Sequence, residues 1–162
     1  MDRARIVSLT LRPMRDDEVP AYIERGRAAY RQDLVTQAGL TKEAAERKAQ
    51  VDWERLLPEP KVPEGTHMYV VEDETGERVG VLWWTERDGD SGRTAYVFEI
   101  EIAEAFRGRG YGKEAMRLFE EDARARGLTE ASLLVLGGNE VARSLYRSLD
   151  YAERAVFMSK SL

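Results

Sequence analysis

The sequence predicts an α/β fold with one mixed β-sheet flanked by helices. Three observations carry this. First, a strand-like run, Thr94 to Ala103, feeds a Gly-rich turn, a helix-like run from Lys113 to Arg126, and then a short apolar run, Ser132 to Leu136. Strand, helix, strand in that order places the two strands parallel. Second, the runs His67 to Glu72 and Arg78 to Glu86 flank Asp73-Glu74-Thr75-Gly76, whose residue types suit a hairpin turn. Third, two stretches with apolar residues at helical spacing precede that hairpin. The sheet is therefore antiparallel early in the chain and parallel in its middle.

Taken in order, Ile6 to Leu11 alternates, with Val7, Leu9 and Leu11 on one face, and reads as the first strand. Asp16 and Asp17 are helix-start residues, and Val19, Tyr22, Ile23, Gly26, Tyr30 and Leu34 then recur at helical spacing up to Gly39. Thr41 is placed to cap a second helix whose stripe is Ala45, Ala49, Trp53 and Leu56. Pro58, Pro60 and Pro63 stop it, so Pro58 to Gly65 reads as a surface loop. Arg87 to Gly92 is polar and Gly-rich, which lets Thr94 to Ala103 pair back as a third hairpin strand. The helix after the Gly-rich turn keeps Ala115, Leu118, Phe119, Asp122 and Ala123 on one face, and Gly127 ends it. Ser132 to Leu136 suits burial on both faces and stops at Gly137-Gly138. Asn139 to Leu149 reads as a short helix and Tyr151 to Ser159 as a last strand.

At 162 residues the chain fits a single domain, 1–162, large enough to bury a core without staples. There is no cysteine, which excludes disulfides, thiolate metal sites and a thioester formed on the chain itself. No metal site is expected. The net charge of -5 argues against general nucleic-acid binding and is compatible with an amine-bearing partner. No apolar run is long enough for a membrane span, and Met1 to Thr10 lacks an apolar signal core. The expectation is a cytoplasmic protein without membrane contact. The sequence is compatible with a homodimer and leaves the oligomeric state open.

Three groups of residues could carry chemistry. Arg107-Gly108-Arg109-Gly110-Tyr111-Gly112 stands between strand and helix. Glycines let backbone amides approach a ligand, and the helix start offers unpaired N–H groups at the positive end of its dipole. Together these favour a phosphate or pyrophosphate, and Arg107, Arg109 and Lys113 add cationic charge. A flexible basic turn is the bland alternative. The turn is not a Walker loop, because no Gly-Lys-Ser/Thr follows, nor a dinucleotide fingerprint, because its Gly spacing differs. Second, Asn139, Ala142, Arg143 and Tyr146 share one helical face. Asn139 also suits an N-cap, and Tyr146 could equally be a core aromatic. Third, Glu99 and Glu101 alternate with Phe98, Ile100 and Ile102, so the carboxylates share one strand face. That face is either solvated or a place for a general base. His67, the sole histidine, reads as a surface residue, and Trp83-Trp84 as packing on opposite faces.

Glu99 to Gly112 resembles the pyrophosphate-binding segment of the GNAT superfamily of N-acetyltransferases, whose pattern is Arg or Gln, two residues, Gly, one residue, Gly or Ala. Arg107, Gly110 and Gly112 fill it. Asn139 to Tyr151 resembles the same family's later segment of Asn, then Ala, then Tyr, and the element order resembles a GNAT domain over nearly the whole chain. The resemblance implies a GNAT-like domain in which the two parallel strands splay apart, with acetyl-CoA as donor substrate. It implies that the amides of Gly108, Arg109, Gly110, Tyr111 and Gly112 hold the pyrophosphate. Backbone groups near Glu101 and Ile102 then pair with the pantetheine arm in the splay. Asn139, with Arg143 on the same face, contacts the cofactor, and Tyr146 points its hydroxyl at the thioester sulfur.

The chemistry suits those groups. Acetyl transfer needs a neutral amine, a donor to the developing oxyanion and a proton for the departing thiolate. A phenol of pKa about 10 can protonate a thiol of about 8.5 at little cost. Tyr146, Glu99 and Glu101 are the catalytic candidates, and a backbone N–H near Ile102 is the natural oxyanion donor. Without cysteine, direct transfer in a ternary complex is expected. Two departures from the family pattern stand out. Its base-like Glu commonly falls near Tyr96 to Phe98, whereas here the acids are Glu99 and Glu101. Asp150 also replaces the Gly before the aromatic, where a left-handed helix end is wanted. The leading expectation is an N-acetyltransferase acting on a primary amine of a small molecule. The alternatives are a peptide or protein N-acetyltransferase, and a non-catalytic acyl-CoA-binding regulatory module.

Overall fold

The computed structural model describes residues 7–58, 62–89 and 92–162. Five strands form one sheet in sequential order: β1 (Leu9–Pro13), β2 (Thr66–Asp73), β3 (Arg78–Gly89), β4 (Gly92–Ile102) and β5 (Glu130–Leu133). The first three neighbouring pairs are antiparallel, while β4 and β5 are parallel, as the intervening helix requires. Helices α1 (Val19–Thr36) and α2 (Lys42–Leu56) precede β2, α3 (Tyr111–Ala125) joins β4 to β5, and α4 (Glu140–Arg147) follows β5. The architecture is the expected mixed α/β one. No described helix is long and apolar enough to cross a membrane.

Each face of the sheet has its own core. Tyr22 of α1 and Trp53 of α2 pack with Met68, Val81 and Trp83 on one face. Ala115, Met116, Phe119 and Ala123 of α3 pack with Tyr69, Val71, Trp84 and Val97 on the other. Trp83 and Trp84 therefore split between the two layers, as alternation demands. The helices α1 and α2 cross at Gly26, where an added Cβ would lie 2.4 Å from Trp53 Cη2. Local signals set the element ends. The Thr41 hydroxyl accepts from the Ala44 N–H at 3.2 Å and starts α2. Asp73 Oδ1 accepts from the amides of Thr75 (2.9 Å) and Glu77 (3.0 Å) and so shapes the β2–β3 turn.

Several boundaries differ from expectation. Described β1 starts at Leu9, and Ile6 lies outside the described residues. Helix α1 starts at Val19 instead of Asp16 or Asp17, with Pro20 in its first turn. Asp17 is paired to Arg15 at 3.2 Å instead of capping. Most of the expected loop Arg87 to Gly92 is strand, since β3 runs to Gly89 and β4 begins at Gly92. Of the expected loop Pro58 to Gly65, residues 59–61 lie outside the described residues. His67 is half-buried, with Nε2 2.9 Å from Glu86 and its ring stacked on Trp84.

The C-terminal part brings the main corrections. The last parallel strand is Glu130–Leu133, shorter than Ser132 to Leu136, and it is half-buried with Leu134 71% exposed. The expected burial on both faces is not found, since no residue of this strand is fully buried. Tyr151 to Ser159 is not a strand but an exposed segment without regular structure. Its start is tied to α4 instead, where Glu153 accepts from Arg143 (2.9 Å) and Arg147 (2.7 Å).

Candidate active site

The Gly-rich turn has the conformation its composition suggests. A short 3-10 turn, Glu104–Phe106, leads from β4 into it. Gly108 (φ 74°) and Gly110 (φ 86°) adopt left-handed backbone, which other residues enter only with strain. Gly110 is the N-cap of α3 and supplies no capping side chain. The first helical bond runs from Glu114 N–H to Gly110 O at 3.1 Å, so among the described residues the amides of Tyr111, Gly112 and Lys113 have no backbone acceptor. Among the described residues, no carbonyl accepts from Gly108, Arg109 or Gly110 either. Arg107 Nε donates to Ile102 O at 2.9 Å and pins the turn to the strand end. The result is a row of free donors at the positive end of a helix, suited to an anion.

Gly112 joins this turn to its surroundings. An added Cβ there would lie 3.4 Å from Leu145 Cδ2 and 3.9 Å from Ile102 Cγ1. The ends of β4, α3 and α4 thus meet at one point. Lys113 Nζ adds a contact of 3.5 Å to Ser148 O beyond α4.

The strand beside the turn is irregular in a useful way. In the β3–β4 register Trp83 pairs with Glu99 and Trp84 with Val97, so Phe98 is one residue too many. A bulge breaks the alternation and bends the strand. The expectation that Phe98 shares a face with Ile100 and Ile102 is therefore wrong. Phe98 lies with Trp83 on the α1 side, ring centroids 4.5 Å apart, while Ile100 packs with the α3 side. The β4–β5 pairing also stops here, at Val97 and Leu133. From Phe98 to Ile102, the edge of β4 that faced β5 has no strand beside it among the described residues, the splay implied by the family resemblance.

Glu99 faces α1, not solvent. Its carboxylate accepts from the Tyr22 hydroxyl. Burial raises its pKa above the ordinary carboxyl range. The Tyr22 hydrogen bond and Arg25 oppose this, while Glu101 and Asp33 add to it. Asp33 is likewise raised, by burial and then by Glu101. Tyr22 is fixed by its neighbours, with its ring 6.4 Å from Trp53 and 6.5 Å from Trp83. The sequence had marked Tyr22 only as part of an apolar stripe. Its signal lay in the α1 face Tyr22, Gly26, Tyr30, Asp33, where polar-tipped residues recur among apolar ones.

On the other side of the sheet, Asn139 caps α4, its Oδ1 accepting from Ala142 N–H at 3.1 Å. Tyr146 packs against the α3-side core, and burial raises its pKa. Its hydroxyl therefore stays protonated at neutral pH and can donate. The chain leaves α4 through a Schellman turn, with Asp150 N–H to Arg147 O (3.1 Å) and Tyr151 N–H to Tyr146 O (3.0 Å). Asp150 takes the left-handed conformation (φ 65°) that the missing Gly would have taken. The Tyr151 ring, 5.9 Å from that of Tyr146, completes the motif and holds the phenol in place. Arg143 turns elsewhere: its guanidinium is engaged by Gly137 O (3.2 Å), Glu140 (3.1 Å) and Glu153 (2.9 Å).

The structure thus brings Ile102, Arg107 to Gly112 and α4 together on one side, and Glu99 and Glu101 with Tyr22 on the other. Among the described residues, no group of three or more His, Asp or Glu side chains is arranged to hold a metal ion.

A split parallel pair beside an uncapped Gly-rich helix start defines a class of acyl-transfer fold. The acetyltransferase (GNAT) family model matches residues 28–151, and the chain belongs to that family. It is an acyltransferase. The Bacillus subtilis protein YycN, described as an uncharacterized N-acetyltransferase, is 27% identical over 156 residues, covering 96% of this chain and 100% of that protein. YdgE of the same organism, described in the same words, is 26% identical over 96% of this chain and 99% of its own length. The YycN crystal structure superposes with a TM-score of 0.87 at 28% identity, covering 96% of this chain and 99% of that one. An aminoglycoside acetyltransferase from an uncultured soil metagenomic sample, meta-AAC0020, shares the fold at a TM-score of 0.61 and 15% identity, covering 95% and 96% of the two chains.

Proposed function

We propose that this chain, acting as one domain over 1–162, is a cytoplasmic, acetyl-CoA-dependent N-acetyltransferase that acetylates a primary amine of a small molecule. Direct transfer in a ternary complex is the route. The observation that carries the reading is the bulge at Phe98, which frees one edge of β4 beside the amide row while Glu99 faces α1. Donor and acceptor then approach the same strand segment from different sides.

The residues fit the donor. The free amides from Gly108 to Gly112, with Arg107 and Arg109, suit a diphosphate. The open edge at Glu101 and Ile102 suits an amide-bearing arm, and Asn139 keeps its side-chain NH2 for the same ligand. Arg143 supports that wall through Gly137. Bound acetyl-CoA supplies the activated acetyl group. Glu99 accepts the ammonium proton of the acceptor, directly or through water, with Glu101 adding negative charge beside it. A β4 amide near Ile102 donates to the developing oxyanion. The Tyr146 hydroxyl protonates the departing sulfur. A small acceptor is favoured over a peptide because α1 covers Glu99 closely enough for the Tyr22 contact.

The test is a mass-spectrometric assay of acetyl-CoA with a panel of small amines and peptides, followed by two-substrate kinetics. The expected result is an acetylated small amine with free CoA, and intersecting initial-rate lines. Tight CoA binding without acetylation of any amine refutes the enzyme reading. Preferential acetylation of peptides refutes the small-molecule one, and parallel lines refute direct transfer.

A further inference from the structure

The carboxylate of Glu99 is held by a partner that is itself held. A regular β4 would carry Glu99 on the same face as Val97, toward α3. The extra residue at Phe98 reverses that alternation, sets Glu99 opposite Trp83 and turns it toward α1. There the Tyr22 hydroxyl donates to Glu99 Oε2. Among the described residues this is the one side-chain hydrogen bond from the α1–α2 pair to β4, and Glu99 Oε1 accepts none. One carboxylate oxygen is therefore tied, and the other is unengaged on a side chain that is only half-buried.

Tyr22 is buried, and its ring is closed in by two indoles, Trp53 and Trp83, which lie 5.2 Å from each other. Trp53 reaches that place because Gly26, one turn along α1 from Tyr22, has no side chain to exclude it. Packing alone does not call for the hydroxyl. A phenylalanine would fill the same space, and a buried hydroxyl facing a carboxylate costs stability that an apolar pair would not. Burial raises Tyr22 well above the ordinary phenol range, and the charge of Glu99 and the hydrogen bond to it add to this. Tyr22 therefore keeps its proton and serves as a donor only.

We propose that Tyr22 is the positioning residue for the base: its hydroxyl anchors Oε2 of Glu99 and so holds Oε1 as the oxygen that takes the acceptor's proton. This rests on the proposed acetyl-transfer reading, in which Glu99 is that base. In the step, an N–H bond of the ammonium breaks, its electron pair stays on nitrogen, and the proton bonds to Oε1, while Tyr22 keeps its own. The same hydrogen bond favours the charged carboxylate against burial. The other charged groups acting on Glu99 are Arg25 and Asp33 of α1 and Glu101 of β4. Trp53 and Trp83, which enclose Tyr22 from α2 and β3, carry no charge.

The first measurement needs no acceptor. The Glu99 carboxyl carbon is followed by NMR across pH in protein carrying isotope-labelled glutamate, its signal being the one that disappears in Glu99→Gln. Tyr22→Phe keeps the ring and removes the hydroxyl, so the Glu99 titration should move to higher pH. Ortho-fluorotyrosine at position 22 keeps both and donates more strongly, so it should move the titration to lower pH. Tyr30→Phe is the control: it removes another α1 hydroxyl, which donates to Asp52 of α2 at 3.0 Å, and should leave the Glu99 titration in place. With an acetylated amine in hand, the rising limb of kcat/KM should follow the titration upward in Tyr22→Phe, with a roughly ten- to hundredfold loss on its low-pH side. Adding Tyr22→Phe to Glu99→Gln should cost no further activity. A Glu99 titration that neither change at position 22 moves, or that Tyr30→Phe moves as far, overturns this inference and leaves the acetyl-transfer reading standing. A limb that survives Glu99→Gln removes the base itself, and the role of Tyr22 with it. The fluorotyrosine titration decides the matter even if the Phe variant fails to fold.

Discussion

Gly80→Ala puts the splayed strand under direct mechanical test. Gly80 lies on β3 opposite Ile102, and an added Cβ would sit 2.2 Å from Glu101 O and 3.0 Å from Ile102 Cδ1. The nearer obstacle is backbone, which cannot rotate away as a side chain could. To restore ordinary contact, β3 and β4 must part by roughly 1 Å at this rung. Overpacking of this kind costs about 1–3 kcal/mol. For a chain of this size each kcal/mol moves Tm by about 2–4 °C, so the expected fall is on the order of 2–12 °C. The same displacement moves the Glu101–Ile102 edge on which the proposed donor site depends, where about 1 Å is enough to cost catalysis roughly 100-fold. Calorimetry should therefore show a lower Tm and weakened CoA binding together. Gly76→Ala is the control. It sits in the β2–β3 turn at φ 83° with nothing within 4 Å, so it should lose stability through backbone strain while binding CoA normally. Wild-type stability in Gly80→Ala, or an equal loss of CoA affinity in both variants, would refute the reasoning.

Further outcomes follow from the same geometry. Tyr146→Phe should lower kcat by about tenfold or more with CoA affinity nearly unchanged by calorimetry; unchanged turnover removes Tyr146 as proton donor. Gly110→Asp places a carboxylate and a strained left-handed residue at the head of α3, and should abolish CoA binding in the same titration. Burial raises the Glu99 carboxyl, so kcat/KM should rise with pH through a limb above the ordinary carboxyl range, and Glu99→Gln should erase that limb. With its pKa raised in the fold, Glu99 holds its proton more tightly in the native state, so it favours the fold at low pH and penalises it as pH rises through the native value; Glu99→Gln should raise Tm at neutral pH while losing activity. Asp150→Gly should raise Tm, by about 1 kcal/mol of stability, because Gly takes φ 65° without the strain Asp bears; an unchanged melt means Asp150 bears none.

What was legible in the sequence is what local chemistry decides. Glycines at positive φ, the Thr41 cap, the Asp73 turn and the helix after the Gly-rich turn, expected from Lys113 and found from Tyr111, each depend on a few neighbouring residues. The parallel placement of β5 follows from handed connection rules and needs no side-chain detail. What could not be read depends on partners distant along the chain. The bulge at Phe98 is hidden because Phe98, Ile100 and Ile102 look like regular alternation, and only the pairing with Trp83 and Trp84 breaks it. Tyr22 looks like core in a helical pattern, and its hydroxyl acquires meaning only when β4 brings Glu99 to it, 77 positions away. The segment after Tyr151 has a strand's composition, but composition cannot say whether an edge is offered to it.

The bulge is the point on which the remaining features turn. A regular β4 could continue its parallel ladder with β5 beyond Val97, and every amide on that edge would then be spent on sheet hydrogen bonds. One extra residue ends the ladder there and leaves the edge from Phe98 to Ile102 unpaired. Such an edge, with a half-buried carboxylate on the same segment, is unfavourable for a protein that only needs to fold. The compensation is visible on both faces: Tyr22, held by Trp53 and Trp83, satisfies Glu99, while Gly112 lets α3 and α4 close against Ile102. An open edge supported this elaborately, next to a helix start left without a cap, suits the proposed donor, which carries amide groups and a diphosphate. That arrangement, more than any single side chain, ties the fold to acetyl transfer.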